Sequence, residues 1–191
     1  MDVCVTTVAD DAFLLDLLNT TPVIDGVPTD LLPDRATAAE WMSAHGLTTS
    51  TKEWSALVEA RSALQAVVRG EKTAQVLQPF VAGVRLTPSV TPDGLDWTLE
   101  HIGGAARAVL AWDGLRIHSP GRLRPCANTE CQLFLIDRSK PNTARWCSMS
   151  LCGNRMKVRR HAVDWRIRAP AASAWGFVAE TGVSQRKFRR V

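Results

Sequence analysis

Cys126-Ala127-Asn128-Thr129-Glu130-Cys131 and Cys147-Ser148-Met149-Ser150-Leu151-Cys152 stand fifteen residues apart. Two close cysteine pairs joined by a loop of this length can bring four thiolates onto one tetrahedral ion. A closed Cys4 shell is the usual form of structural zinc, with no coordination position left for chemistry. The alternative reading is two disulfides, which need an oxidising compartment. The start, Met1-Asp2-Val3-Cys4 with Asp10 and Asp11 following, lacks the basic segment and apolar core of a signal peptide. The expectation is a cytoplasmic protein with reduced thiols and no membrane partner, since charges interrupt every apolar stretch. Cys4, alone in a short apolar segment, reads as a small hydrophobe.

Charge divides the chain. Residues 1 to 115 hold 7 Lys and Arg against 15 Asp and Glu, a net −8, whereas residues 116 to 191 hold 16 against 4, a net +12. Four thiolates on a zinc ion carry −2, so the metallated basic half is nearer about +10. Such a segment repels itself unless an anionic partner screens it, and a nucleic acid backbone is the commonest such partner. Docking on the acidic half of the same chain, or simple solvation, are the competing readings.

The first 118 residues read as a mainly helical domain with one β-hairpin. Phe13, Leu14, Leu17 and Leu18 recur at helical spacing behind Asp10 and Asp11, and Asn19-Thr20-Thr21-Pro22 ends that helix. Asp34 caps a second helix carrying Ala38, Trp41 and Met42, with Gly46 at its end. Ser50 and Glu53 have the spacing of a capping box, opening a helix with Trp54, Leu57, Val58, Leu64 and Val68 inward. Val84, Leu86 and Val90 alternate, Thr91-Pro92-Asp93-Gly94 is turn chemistry, and Leu95, Trp97 and Leu99 alternate again, which predicts a hairpin. Gly103 and Gly104 open a last helix with Ala106, Val109, Leu110 and Trp112 inward, closing at Asp113-Gly114. Trp41, Trp54, Trp97 and Trp112 are expected in one shared core. No catalytic constellation stands out, so an enzyme is not expected. A hidden one would have to use polar groups such as Asp16, Asn19 and His45.

Between the cysteine pairs, residues 132–137 read as a strand, 138–143 as a turn and 144–146 as the return strand. Helical spacing then runs from the last ligand through Val158, His161, Ala162 and Trp165. A knuckle, a hairpin and a helix with ligands at its N-terminus make a treble-clef-like module. The fold class expected is therefore α+β, with a helical domain over 1–118, a zinc module over 119–166 and a basic tail over 167–191.

Cys126, Cys131, Phe134, Asp137, Arg138, Ser139, Arg145-Trp146-Cys147-Ser148-Met149 and Cys152-Gly153-Asn154-Arg155 with Lys157 together resemble the CGNR zinc finger. Leu15-Asp16-Leu17-Leu18-Asn19-Thr20 resembles the Leu-Asp-x-x-Asn-Thr signature of the ABATE domain that precedes this finger. The resemblance implies a bacterial transcriptional regulator with structural Zn2+, the finger touching DNA and the first domain sensing stress or a small-molecule ligand. On that reading Arg138, Lys140, Arg145, Arg155, Lys157, Arg159 and Arg160 are the candidate nucleic-acid contacts, and a homodimer would supply specificity. Arg155 can equally neutralise the thiolates. Gly153 permits a close approach beside Cys152, and Asn154 caps local amides or touches a base edge. The rival function is a structural zinc module that docks a protein or RNA. Residues 178–190 weakly resemble the turn and second helix of a helix-turn-helix; an amphipathic tail is the preferred reading.

Overall fold

A computed structural model describes residues 8–100 and 102–159. Cys4, Arg160, His161 and the tail over 167–191, with its helix-turn-helix resemblance, lie outside the described residues. The described residues up to Met156 form one compact unit, and 157–159 begin another. The fold is α+β: five α-helices and three two-stranded antiparallel hairpins among the described residues, with the cysteine module at the end.

Helix α1, Val8–Leu18, lies at the centre. Phe13, Leu14, Leu17 and Leu18 are all buried, against Leu57 and Leu64 of α3, Thr51–Val68, and Ala108, Val109, Ala111 and Leu115 of α5, Gly104–His118. Burying a leucine side chain is worth roughly 2 kcal/mol, so these three helices carry most of the apolar stabilisation. Helix α2, Arg35–Ala44, adds Ala38 and Met42; Asp34 accepts from the Thr37 N–H at 2.9 Å at its start, and Gly46 (φ +71°) ends it.

The capping box of α3 closes only halfway. Ser50 Oγ accepts from the Glu53 N–H at 3.1 Å, but the Glu53 carboxylate turns to α5 and accepts from the Gly104 N–H at 2.5 Å. A carboxylate beside the first amides of a helix also suits its dipole. A side chain at Gly104 would bring Cβ within 2.8 Å of Leu47 Cδ1 and 3.0 Å of Leu57 Cδ1, so the leucines packed on the start of α5 would have to shift. The hydroxyl of Ser50 thus caps α3, and the acid of Glu53 caps α5.

Three expectations are corrected. Helix α5 runs through Asp113-Gly114 to His118, because Leu115 is buried one turn on and Asp113 spends its carboxylate on Arg116 within the helix. Trp41, Trp54 and Trp112 flank the core, whereas Trp97 does not pack against it. It sits on the hairpin of β3, Arg85–Thr91, and β4, Gly94–Glu100. The predicted strand at 144–146 is absent: β6, Phe134–Ile136, pairs instead with β5, Leu123–Pro125, upstream of the first cysteine. Besides β5, a further hairpin and a short helical stretch had not been anticipated. Asp25 and Gly26, both at positive φ, turn β1, Val23–Ile24, back on β2, Val27–Pro28. A short helical stretch, Ala74–Leu77 and α4, Gln78–Val81, follows α3.

Behind α1 lies a buried polar cluster. Arg61, only 3% exposed, forks onto Asp30 with two hydrogen bonds of 2.7 Å and donates to Thr20 Oγ1 at 2.8 Å. Gln65 donates to the Leu18 carbonyl and to Thr21 Oγ1, both at 2.8 Å. These bonds satisfy the C-terminal turn of α1, which lacks helical partners of its own.

Candidate metal centre

Strand β5 delivers the chain to Cys126, whose N–H donates to the Leu133 carbonyl at 2.8 Å and closes the knuckle. Inside it, Asn128 is 1% exposed: its Oδ1 accepts from the Glu130 N–H at 3.3 Å, and its backbone carbonyl accepts from the Cys131 N–H at 2.8 Å. Of the second pair, Cys147 precedes and Cys152 sits on a turn of π-helix, Met149–Gly153, with Ser148 Oγ accepting from the Leu151 N–H at 3.0 Å; residues 154–159 continue as helix. A Cβ at Gly153 would fall 2.6 Å from Met149 Sδ, so a side chain there would displace the Met149 side chain beside Cys152.

All four Sγ atoms lie within 4.8 Å of one another, and the four cysteines are free. A tetrahedral ion with bonds of about 2.3 Å to sulfur has edges of about 3.8 Å. Cys131 and Cys147 already stand 3.9 Å apart. The surroundings also suit thiolates: Asn128 Nδ2–H donates to Cys152 Sγ at 3.4 Å, and the Cys147 N–H points at Cys126 Sγ at 3.5 Å. Without an ion the sulfurs disfavour each other's charge. Burial and then the neighbouring thiols push Cys131 up to about 11 and Cys147 higher still. At Cys152 burial pulls the same way, but the hydrogen bonds from Asn128 and the other thiols outweigh it and lower the pKa. A dication removes this conflict by replacing the protons.

The loop between the pairs is gathered on one buried carboxylate. Asp137 accepts from Ser139 N–H (2.9 Å), Ser139 Oγ–H (2.6 Å), Ala144 N–H (2.7 Å) and Arg124 Nη2–H (2.9 Å). The Ser139 bonds, joined by those from Ala144 and the Arg124 charge, hold its pKa down to about 2 against the cost of burial. Arg124 also donates to Asn142, and Arg122 to the carbonyls of Asp137 and Ser139, both at 2.7 Å. A loop folded around an acid this way is too wide to return as a paired strand.

The CGNR zinc finger family matches residues 122–163. The ABATE family, described as "Putative stress-induced transcription regulator", matches residues 11–123, more than half of the chain. The chain belongs to the ABATE family. No curated protein matches it.

Within the ABATE signature, Asn19 has a role invisible in its sequence. Its Oδ1 accepts from the Phe134 N–H at 2.7 Å and its Nδ2 donates to the Phe134 carbonyl at 3.3 Å. A side-chain amide at the end of α1 thus pairs with β6 as a neighbouring strand would. Phe134 is itself buried in the helical core, with the Arg69 guanidinium 4.8 Å from its ring centroid. Asp16 lies 3.9 Å from His45, while Asn19 is committed to Phe134. Burial, with the Arg107 charge, holds the His45 imidazole below its ordinary range against the pull of Asp16.

The candidate nucleic-acid residues are placed separately. Arg138 reaches Asp11 of α1 at 3.7 Å while staying largely exposed. Lys140 is exposed on the Asp137 loop, and Arg145 is exposed with its guanidinium 5.3 Å from the Trp146 ring. Arg155 is exposed at the mouth of a groove of about 440 Å³ shared with Asp25, Glu130 and Gln132. Lys157 and Arg159 are exposed on the helical residues that begin the second unit. Asn154 is exposed. The residues that sequence reasoning missed are Arg122, Arg124 and Asn128, and for Asn19 it missed the role, not the residue. Only the Asp-x-Ser spacing of residues 137–139, a known turn chemistry, hinted at the loop they hold.

Proposed function

We propose that the chain is a cytoplasmic transcriptional regulator whose Cys4 site holds Zn2+ and whose finger binds duplex DNA, with no catalytic step of its own. The observation that carries this reading is a division of labour among the module's cations. Arg122 and Arg124 are consumed inside the loop, while Lys140, Arg145 and Arg155 face outward from the same rigid frame. Outward cations on a metal-set platform are suited to phosphate oxygens, which fix position and supply affinity rather than sequence readout. Reduced, metal-bound thiols fit a cytoplasmic setting, and among the described residues no helix is long and apolar enough to cross a membrane.

The sensing role of the first domain belongs to the same proposal. A cleft of about 190 Å³ lined by Val67, Val68, Trp112 and Leu115 together with Arg116 and Ser119 is where a small molecule with both apolar and polar groups would sit. The test of the main reading is titration of metallated protein against duplex DNA at rising salt. About six phosphate contacts predict a log–log slope near about −5. No binding at low salt rejects it and favours the rival, a module that docks a protein, for which exposed Met149 and Leu151 beside the last ligand pair would serve.

A further inference from the structure

The β3–β4 hairpin is divided into two chemically distinct faces. Residues directly opposite in an antiparallel pair share a face, and faces alternate along each strand. The register Leu86↔Leu99, Pro88↔Trp97 and Val90↔Leu95 therefore puts six apolar residues on one side. Arg85↔Glu100, Thr87↔Thr98, Ser89↔Asp96 and Thr91↔Gly94 put polar groups and glycine on the other. Trp97 and Leu99 are half-buried, but the rest of the apolar side is open: Val90 is 86% exposed, Leu95 58% and Leu86 37%. A lone two-stranded hairpin is marginal in water, and segregation this complete has no value on a face that stays wet.

We propose that this face is the homodimer interface, formed by stacking against the same face of a second copy about a two-fold axis. The pattern reads alike in both directions, aliphatic pair, Pro-Trp pair, aliphatic pair. A two-fold axis through the Pro88–Trp97 row lays Val90 and Leu95 of one copy over Leu86 and Leu99 of the other. Such self-complementarity is what an isologous contact requires. The exposed apolar area of the face is on the order of 500 Å², so two copies bury on the order of 1,000 Å², the floor for a specific interface. The dimer is accordingly weak, with dissociation in the micromolar range. Pairing of hairpin edges is disfavoured because Pro88, in the middle of β3, removes a backbone donor. The proposal stands apart from DNA binding, since it is tested without DNA.

The experiment is sedimentation equilibrium of the full metallated chain from low to several hundred micromolar. The mass is expected to rise from 20.9 kDa toward twice that value. The double variant Val90→Lys/Leu95→Lys should weaken association at least about tenfold, whereas Thr87→Lys/Ser89→Lys, on the polar face, should leave it intact. Hydrogen exchange of the unmodified protein should show hairpin amides slowing as concentration rises, a readout independent of how the variants fold. A monomer at every concentration, equal effects of the two double variants, or concentration-independent exchange in the hairpin would overturn it.

Discussion

The helical core and the cysteine module are stabilised in opposite ways within one compact unit. Helices α1, α3 and α5 bury leucines against one another, and the buried polar groups among them, Arg61 with Asp30 and Gln65, serve the end of α1. The module hides few apolar groups and relies on four sulfurs and one carboxylate. The difference teaches where each half is vulnerable: the core to lost volume, the module to lost charge pairing.

The largest effect expected is metal removal. A structural zinc ion contributes on the order of 10 kcal/mol to a small module, so a strong chelator should abolish amide protection from 126 to 156 while α3 keeps its own. Simultaneous loss of both would break the comparison. Acid should act the same way, because release returns protons to Cys131 and Cys147, whose pKa is raised. With at least Cys131 and Cys147 protonated after release, affinity should fall by at least about two orders of magnitude per pH unit near neutrality, as read by a chromogenic chelator. Asp137 is not the group responsible. Its depressed pKa makes its contribution fully present above about 4 and lost only as pH falls toward about 2.

Next in size is Leu64→Ala, expected to cost about 3 kcal/mol in denaturant unfolding of the helical core, with zinc stoichiometry unchanged. Asp30→Ala should cost about 2–3 kcal/mol, since it strands the buried Arg61 charge, though Asp30 itself is partly solvated. Asn19→Ala is the smallest in energy, about 1–2 kcal/mol for two unpaired backbone groups on Phe134. It is also the sharpest, because it should raise the metal off-rate although Asn19 touches no ligand. An unchanged off-rate would mean the two regions are merely adjacent.

Much of this was legible in the chain. The four ligands, the ends of α1, α2 and α3, and the β3–β4 hairpin follow from local rules: ligand spacing, capping residues, periodicity. What escaped was decided by partners distant in sequence. Nothing near Glu53 announces that its carboxylate will serve Gly104, and nothing near residue 146 reveals that β6 has already found β5. Trp97 was misplaced because an alternating apolar strand looks the same whether its face meets the protein's own core or something else. Arg124 and Arg122 read as surface charge until Asp137 and its loop are folded around them.

The Asn19 amide pair has a mechanical corollary. Phe134 is three residues beyond Cys131, so a tilt of α1 large enough to move its last turn must drag the knuckle or snap two hydrogen bonds. The end of α1 and the knuckle that carries Cys126 and Cys131 are therefore mechanically one piece.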